Sequence, residues 1–264
     1  MRRMSAVALL ISLALFLAPP AGAAYEAIEV KDGGTIAGRV TWSGPFPKVP
    51  PFPVVKNPEV CDVGKTGKKP SPRLLVDPQS RGVKNAVVYL ANIRRGRKLV
   101  RPGAPLVLDQ KDCEYNPHVL IAPRRARLAM TTSDVVLHNI HMFGRASYNL
   151  PFPRKGIIIK KRLRRAGLIW MRCDAGHAWM SAYIWVVEHP YYALTDAEGR
   201  FTLKGVPPGK YVLKAWHEGW KVTKTIEKDG LPAFYEYAAP VEIAKEVTVS
   251  PGGTVGVNFK LKEK

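Results

Sequence analysis

Short apolar runs dominate the chain, and few segments carry the three-to-four-residue repeat of an amphipathic helix. The runs are rich in β-branched and aromatic residues and are punctuated by Gly, Pro and Asp, which predicts an all-β sandwich or barrel. Residues 35–42 (TIAGRVTW) alternate as a strand would, and residues 85–90 (NAVVYL) predict a second. Between them a Pro-rich passage, residues 45–58, cannot sit inside a sheet and is expected to run extended on the surface. It leads through Cys61 into a basic, turn-rich stretch at 64–72.

Further strands are predicted at 116–122, 126–130, 135–140, 156–159, 167–171 and 182–187, separated by polar turns such as 131–134. The C-terminal third has the clearest punctuation. Residues 195–203 (TDAEGRFTL) read as a turn and strand, with Gly199 free to take positive φ. Residues 205–213 (GVPPGKYVL) repeat that plan, and the chain closes on 247–249, a Pro251-Gly252-Gly253 turn and 255–261.

Residues 1–23 break this pattern. Arg2 and Arg3 precede an apolar run from Ala6 to Leu17, and Ala21-Gly22-Ala23 offers a small-residue cleavage site. That is the plan of a cleavable signal peptide, and the run is too short for a comfortable membrane span. A periplasmic or secreted protein is expected.

Charge adds a question about partners. The formal charge is +20, and the basic residues come in runs: Arg94, Arg95, Arg97, Lys98 and Arg101; Arg124, Arg125 and Arg127; Lys160, Lys161, Arg162, Arg164 and Arg165. An exported protein rarely meets nucleic acid, so none is expected as a partner. A solvated face is the plain reading; an acidic redox partner or an anionic membrane surface is the sharper one.

The candidate chemistry lies in residues 173–180, Cys-Asp-Ala-Gly-His-Ala-Trp-Met. Cys173, His177 and Met180 bring a thiol, an imidazole and a thioether within one short loop, with Ala175 and Gly176 to let it bend. A second imidazole is available upstream from His138 or His141. Two His, one Cys and a weak Met make a copper electron-transfer set, while zinc on His138, His141, Cys173 and His177 is chemically possible. Three cysteines are present, and Cys61 and Cys113 lack convergent ligand residues. The economical assignment is therefore a Cys61–Cys113 disulfide, stabilising by roughly 4 kcal/mol, with Cys173 left for metal.

Two family resemblances organise these segments. Residues 38–40, 86–90, 195–201 and 207–213 resemble the carboxypeptidase regulatory-like domain, a small transthyretin-type β-sandwich. In that family the second strand and the T-D-x-x-G-x-F turn are separated only by a short hairpin. Here about a hundred residues intervene, which implies an inserted domain. The expected plan is a leader at 1–23, regulatory-like parts at 24–97 and 190–264, and an insert at 98–189.

The insert resembles a cupredoxin: a strand after Pro117, the Ser133-Asp134 turn, Leu137-His138-Asn139-Ile140, a Gly-led strand, then Cys173, His177 and Met180 before a last apolar strand. The resemblance implies a Greek-key sandwich binding one type 1-like copper ion through His138, Cys173, His177 and axial Met180. Asn139 would tie the two ligand loops together. Residues three apart on a strand face opposite ways, which favours His138 over His141. The three-residue and two-residue gaps of the loop differ from the commonest blue-copper spacings and leave the axial contact open. The function implied is an exported electron carrier with a redox partner and no catalysis of its own. The alternative is an accessory or scaffold protein with a carbohydrate-binding-like sandwich, whose copper site is vestigial or stores metal.

Overall fold

The Gly34–Trp42 strand buries Ile36, Val40 and Trp42 and leaves Thr35, Ala37 and Thr41 partly exposed, the two-residue period of a half-buried strand. The coordinates, a computed structural model, describe residues 24–263, so the expected leader at 1–23 lies outside the described residues. Gly34–Trp42 pairs antiparallel with Arg200–Val206 on one side. On the other it pairs parallel with Thr254–Gly256 and then Phe259–Leu261. Where those last two strands break, a Cβ on Gly38 would lie 1.8 Å from the Val257 carbonyl oxygen, so only glycine fits.

A second sheet, ordered Tyr192–Leu194, Val87–Leu90, Gly209–His217 and Val241–Val249, faces the first. Ile36, Val40, Val88, Leu90, Phe201, Leu213 and Phe259 fill the space between them. Strands from both ends of the chain therefore build one sandwich. The chain leaves the sheets of this sandwich after Leu90 and rejoins them at Tyr192, and the two crossing strands are hydrogen-bonded neighbours, with Val88 opposite Ala193.

The intervening segment forms a sandwich of its own. One sheet has the order Ile158–Arg162, Arg127–Thr131, Leu106–Lys111 and Glu114–Asn116. The other runs Tyr148–Phe152, His138–Gly144, Gly167–Arg172, Ser181–Val187 and Val119–Pro123. Leu108, Leu128, Met130, Ile140, Met142, Ile169, Met171 and Ile184 form the core. Among the described residues the fold is all-β apart from one short helix, Pro58–Cys61.

Three expectations need correction. The strand expected at 116–122 is two strands in different sheets, broken at Pro117, which has no N–H to donate to a ladder. The Pro-rich passage runs over the surface as expected, except that Phe52 is buried in the core of the inserted sandwich and Phe52–Pro53 pairs with Lys68–Lys69. The segment expected to be a strand from 135 starts its pairing only at His138, leaving Val135 and Leu137 exposed.

The two sandwiches are joined by buried chemistry. Tyr89, Val87 and Trp216 of the outer one pack with Val119, Tyr183 and Trp185 of the inserted one. Beside them Arg73 donates to Ser181 Oγ (2.7 Å) and the Tyr183 hydroxyl (2.8 Å), and forms an ion pair with Glu218 (2.8 Å). His118 meets the other carboxylate oxygen of Glu218. A hairpin, Val222–Lys228 with Leu231–Tyr237, reaches across, setting Tyr237 against Arg73 and Phe234 against Arg172.

Candidate metal centre

Two neighbouring strands meet at one end of the inserted sandwich, beside Cys173. His138 opens one central strand and Cys173 follows the end of its antiparallel neighbour, so their backbones emerge side by side. The following loop turns at Gly176, whose φ of +90° is open to glycine and costly for other residues. The loop closes on itself through Met180 N–H to the His177 carbonyl (2.9 Å) and Cys173 N–H to the Met180 carbonyl (3.3 Å).

His138 Nδ1 lies 4.0 Å and His177 Nδ1 3.7 Å from Cys173 Sγ. The two imidazole rings are tilted at 55° with centroids 4.6 Å apart. His138, Cys173 and His177 are all 0% exposed. Met180 is buried in the same core, beside Trp179.

The far nitrogen of each ring is occupied. His138 Nε2 donates to Asp134 Oδ2 at 2.8 Å, and His177 Nε2 donates to Asn57 Oδ1 at 3.2 Å. These bonds fix the tautomers and leave both Nδ1 lone pairs facing the sulfur. Asp134 also accepts the Asp112 and Cys113 amides, both at 2.8 Å. Burial alone would raise its carboxyl; the bonds from His138, Cys113 and Asp112 overcome that and hold it below the usual range.

Burial, with repulsion from His138 and then Lys56, holds His177 down to about 3, so its ring is neutral. Burial pushes the Cys173 thiol up to about 11, against the pull of the Asn139, Ala175 and His177 amides aimed at the sulfur. Those amides are ready donors to a thiolate once a cation replaces the proton.

Asn139 spans the two ligand segments. Its side-chain oxygen accepts the Asp174 amide (2.5 Å), its carbonyl accepts the Tyr115 hydroxyl (2.5 Å), and its amide nitrogen donates to Asn149 (2.6 Å). His141 lies elsewhere: its Nδ1 pairs with Asp174 (2.5 Å) and its ring stacks 4.1 Å from Phe143. The structure thus brings His138, Cys173 and His177 together and leaves His141 outside.

Cys61 and Cys113 form a disulfide with Cα atoms 5.1 Å apart, and among the described residues Cys173 is the free cysteine. The disulfide abuts the site: its two sulfurs and a ring nitrogen of His177 lie within 4.8 Å of one another. It joins the helix that follows Asn57 to the hairpin whose amides hold Asp134. Asp134 and Asn57 were not assigned roles by sequence reading. The Asp134–His138 spacing of four residues was visible; Asn57, 120 residues from His177, gave no signal.

Two imidazole nitrogens and one thiol, buried and convergent, fit a soft or borderline cation. No carboxylate oxygen enters the His138–Cys173–His177 triangle, since Asp134 and Asp174 each hold a histidine from outside it.

Residues 174–262 match the carboxypeptidase regulatory-like domain family, a match that starts inside the Cys173–Met180 loop and runs on into the outer sandwich. No curated protein matches the chain significantly. Among solved structures it is similar to a copper-containing nitrite reductase from Thermus scotoductus, at 18% identity and TM-score 0.29, over 34% of this chain and 25% of that one. A mutant of amicyanin in its reduced Cu(I) form is similar at 21% identity and TM-score 0.29, over 33% of this chain and 86% of that one. A purple cupredoxin from Nitrosopumilus maritimus is similar at 19% identity and TM-score 0.28, over 31% of this chain and 99% of that one.

Proposed function

We propose that the protein is an exported electron carrier holding one copper ion through His138, Cys173 and His177, with Met180 as a weak axial donor. The observation that carries this reading is the convergence of two Nδ1 atoms on one sulfur, with each Nε2 already committed to an oxygen. Bound copper supplies a one-electron couple. The chain's own part is to fix the two rings, present three amides to the sulfur, and exclude water by burying all three ligands. A preset, closed site changes little between oxidation states, which favours electron exchange over bond-making chemistry.

The redox partner is best sought at the ligand end of the inserted sandwich, where Val135 (68% exposed) and Leu137 (51%) flank Asp134 and His138. Export is proposed from the leader-like residues 1–23 together with the disulfide. The test is to add Cu(II) to the chain from residue 24 and record optical and EPR spectra. An intense visible thiolate-to-copper band that vanishes in Cys173→Ser is expected. Weak copper uptake that ignores Cys173 would sink the reading.

A further inference from the structure

The end of the inserted sandwich remote from His138 carries a cleft of about 290 Å³. It lies between the outermost strands of the two sheets, Tyr148–Phe152 and Ile158–Arg162. Its floor is closed by the buried core residues Leu128, Met142 and Ile169, and the apolar surface left open in it comes from Ala146 and Tyr148. Its rim is Arg145, Lys161, Arg162, Arg164 and Arg165, and no carboxylate lines it.

Five cations around one small opening repel one another, and such a rim is ordinarily relieved by acidic neighbours. Here it is not. Among the described residues none of the five makes an ion pair, whereas nearby Arg124 is matched by Glu188 at 2.8 Å. Lys161 is steered over the Tyr148 ring, with Nζ 4.8 Å from the centroid. Arg145 folds against Gly167, so tightly that a Cβ there would meet Arg145 Nε at 2.8 Å. The rim is thus held partly in place with its donors unspent.

Planar guanidinium groups match phosphate oxygens in pairs, and lysine adds a point charge. A free phosphate would use only the rim. A phosphate carrying an acyl glycerol would also cover the half-buried Ala146 and Tyr148. The position argues in the same direction: counted along the strand from His138, the rim at Arg145 lies about 20 Å from the ligands. An electron partner seated there would be badly placed for exchange with the metal centre, so the charge is better explained by anchorage.

We infer that this cleft is a headgroup site for anionic phospholipid, docking the protein on a membrane surface with its metal-binding end turned outward. The inference stands whether or not the metal is copper.

The test is co-sedimentation of the chain from residue 24 with phosphatidylcholine vesicles, with and without phosphatidylglycerol. A cleft variant, R145Q/R164Q/R165Q, is compared with R94Q/R95Q/K98Q, which removes the same charge from another basic run. Binding that requires phosphatidylglycerol and weakens at least about tenfold in the cleft variant, yet by less than about twofold in the control, is the expected result. Equal loss in both variants would reduce the effect to bulk charge and overturn the site. Displacement from vesicles by millimolar inorganic phosphate would reassign it to a free anion. Retention by polyglutamate without retention by vesicles would reassign it to an acidic protein. Unchanged circular dichroism in the variants guards against misfolding as the cause of loss.

Discussion

Asp134 holds His138 by a 2.8 Å hydrogen bond while accepting the Cys113 amide on the same carboxylate. The orientation of one candidate ligand is thereby set by the hairpin that carries half of the disulfide. His177 is held by the other half, since Asn57 immediately precedes the helix ending in Cys61. Both histidines take their aim from one covalent link.

Asp134→Asn should keep the shape and lose the charge-assisted bond. Metal affinity is expected to fall on the order of 10–100-fold, as it does when such outer partners are removed. The Cys173-dependent band should persist at saturating metal. A competitive chelator titration measures the first and optical spectra the second.

Removing the disulfide with Cys61→Ser and Cys113→Ser should destabilise the metal-free protein by about 2–4 kcal/mol. Because the link positions both histidine partners, metal affinity should fall as well, beyond what Asp134→Asn alone produces. Urea denaturation and the same chelator titration read the two effects. A double variant that loses stability but binds metal normally would refute the shared-aim argument.

Metal binding should release one proton per ion near neutral pH. The Cys173 thiol, pushed up to about 11, is protonated there, while His177, near 3, carries no proton to lose. Affinity should therefore rise about tenfold per pH unit from neutral pH toward 11. Calorimetry in buffers of different ionisation enthalpy counts the proton.

Acid should weaken the fold through groups away from the ligands, among them the half-buried His189 and the buried Glu218. Burial holds His189 at about 4, against an ordinary 6.5, with a hydrogen bond to the Leu90 backbone opposing it. Between those values the unfolded chain binds the extra proton. The stability from keeping His189 neutral is complete above 6.5 and is lost as pH falls toward 4. Glu218 also lies below its ordinary value: burial would raise it, but Arg73 and His118 prevail. Its contribution is present above 4.5 and is lost as pH falls further. Urea midpoints of the metal-free protein should drop across this range, and His189→Gln should flatten the upper part of the slope.

Glu218→Gln should be severe at any pH. It strands Arg73, 2% exposed, without its counter-charge between the two sandwiches. Breaking a buried pair from one side costs about 3–5 kcal/mol. Replacing both partners, Arg73→Met with Glu218→Leu, should cost less than the single change. Thermal melts of the three variants make the comparison.

The all-β character and most inserted strands were legible because alternation and turn residues are local signals. The Cys173–His177–Met180 grouping was legible for the same reason. The supports were not. Asn57 reaches His177 across 120 residues of sequence, and Arg73 reaches Glu218 across the junction of two sandwiches. The Val222–Lys228 strand is almost wholly exposed, so no apolar pattern announced its hairpin. Residues 116–122 misled because Pro117 divides an apolar-looking run between two sheets.

The closing pairs of the outer sandwich also set an order of events. Val40 and Trp42 find their parallel partners only at Phe259 and Leu261, more than two hundred residues later. The inserted sandwich draws its sheets from a contiguous stretch between Leu106 and Val187. Contacts that close long loops form late, and a chain emerging from its N-terminus completes its local units first. The inserted sandwich should therefore assemble while the one that surrounds it is still waiting for the end of the chain.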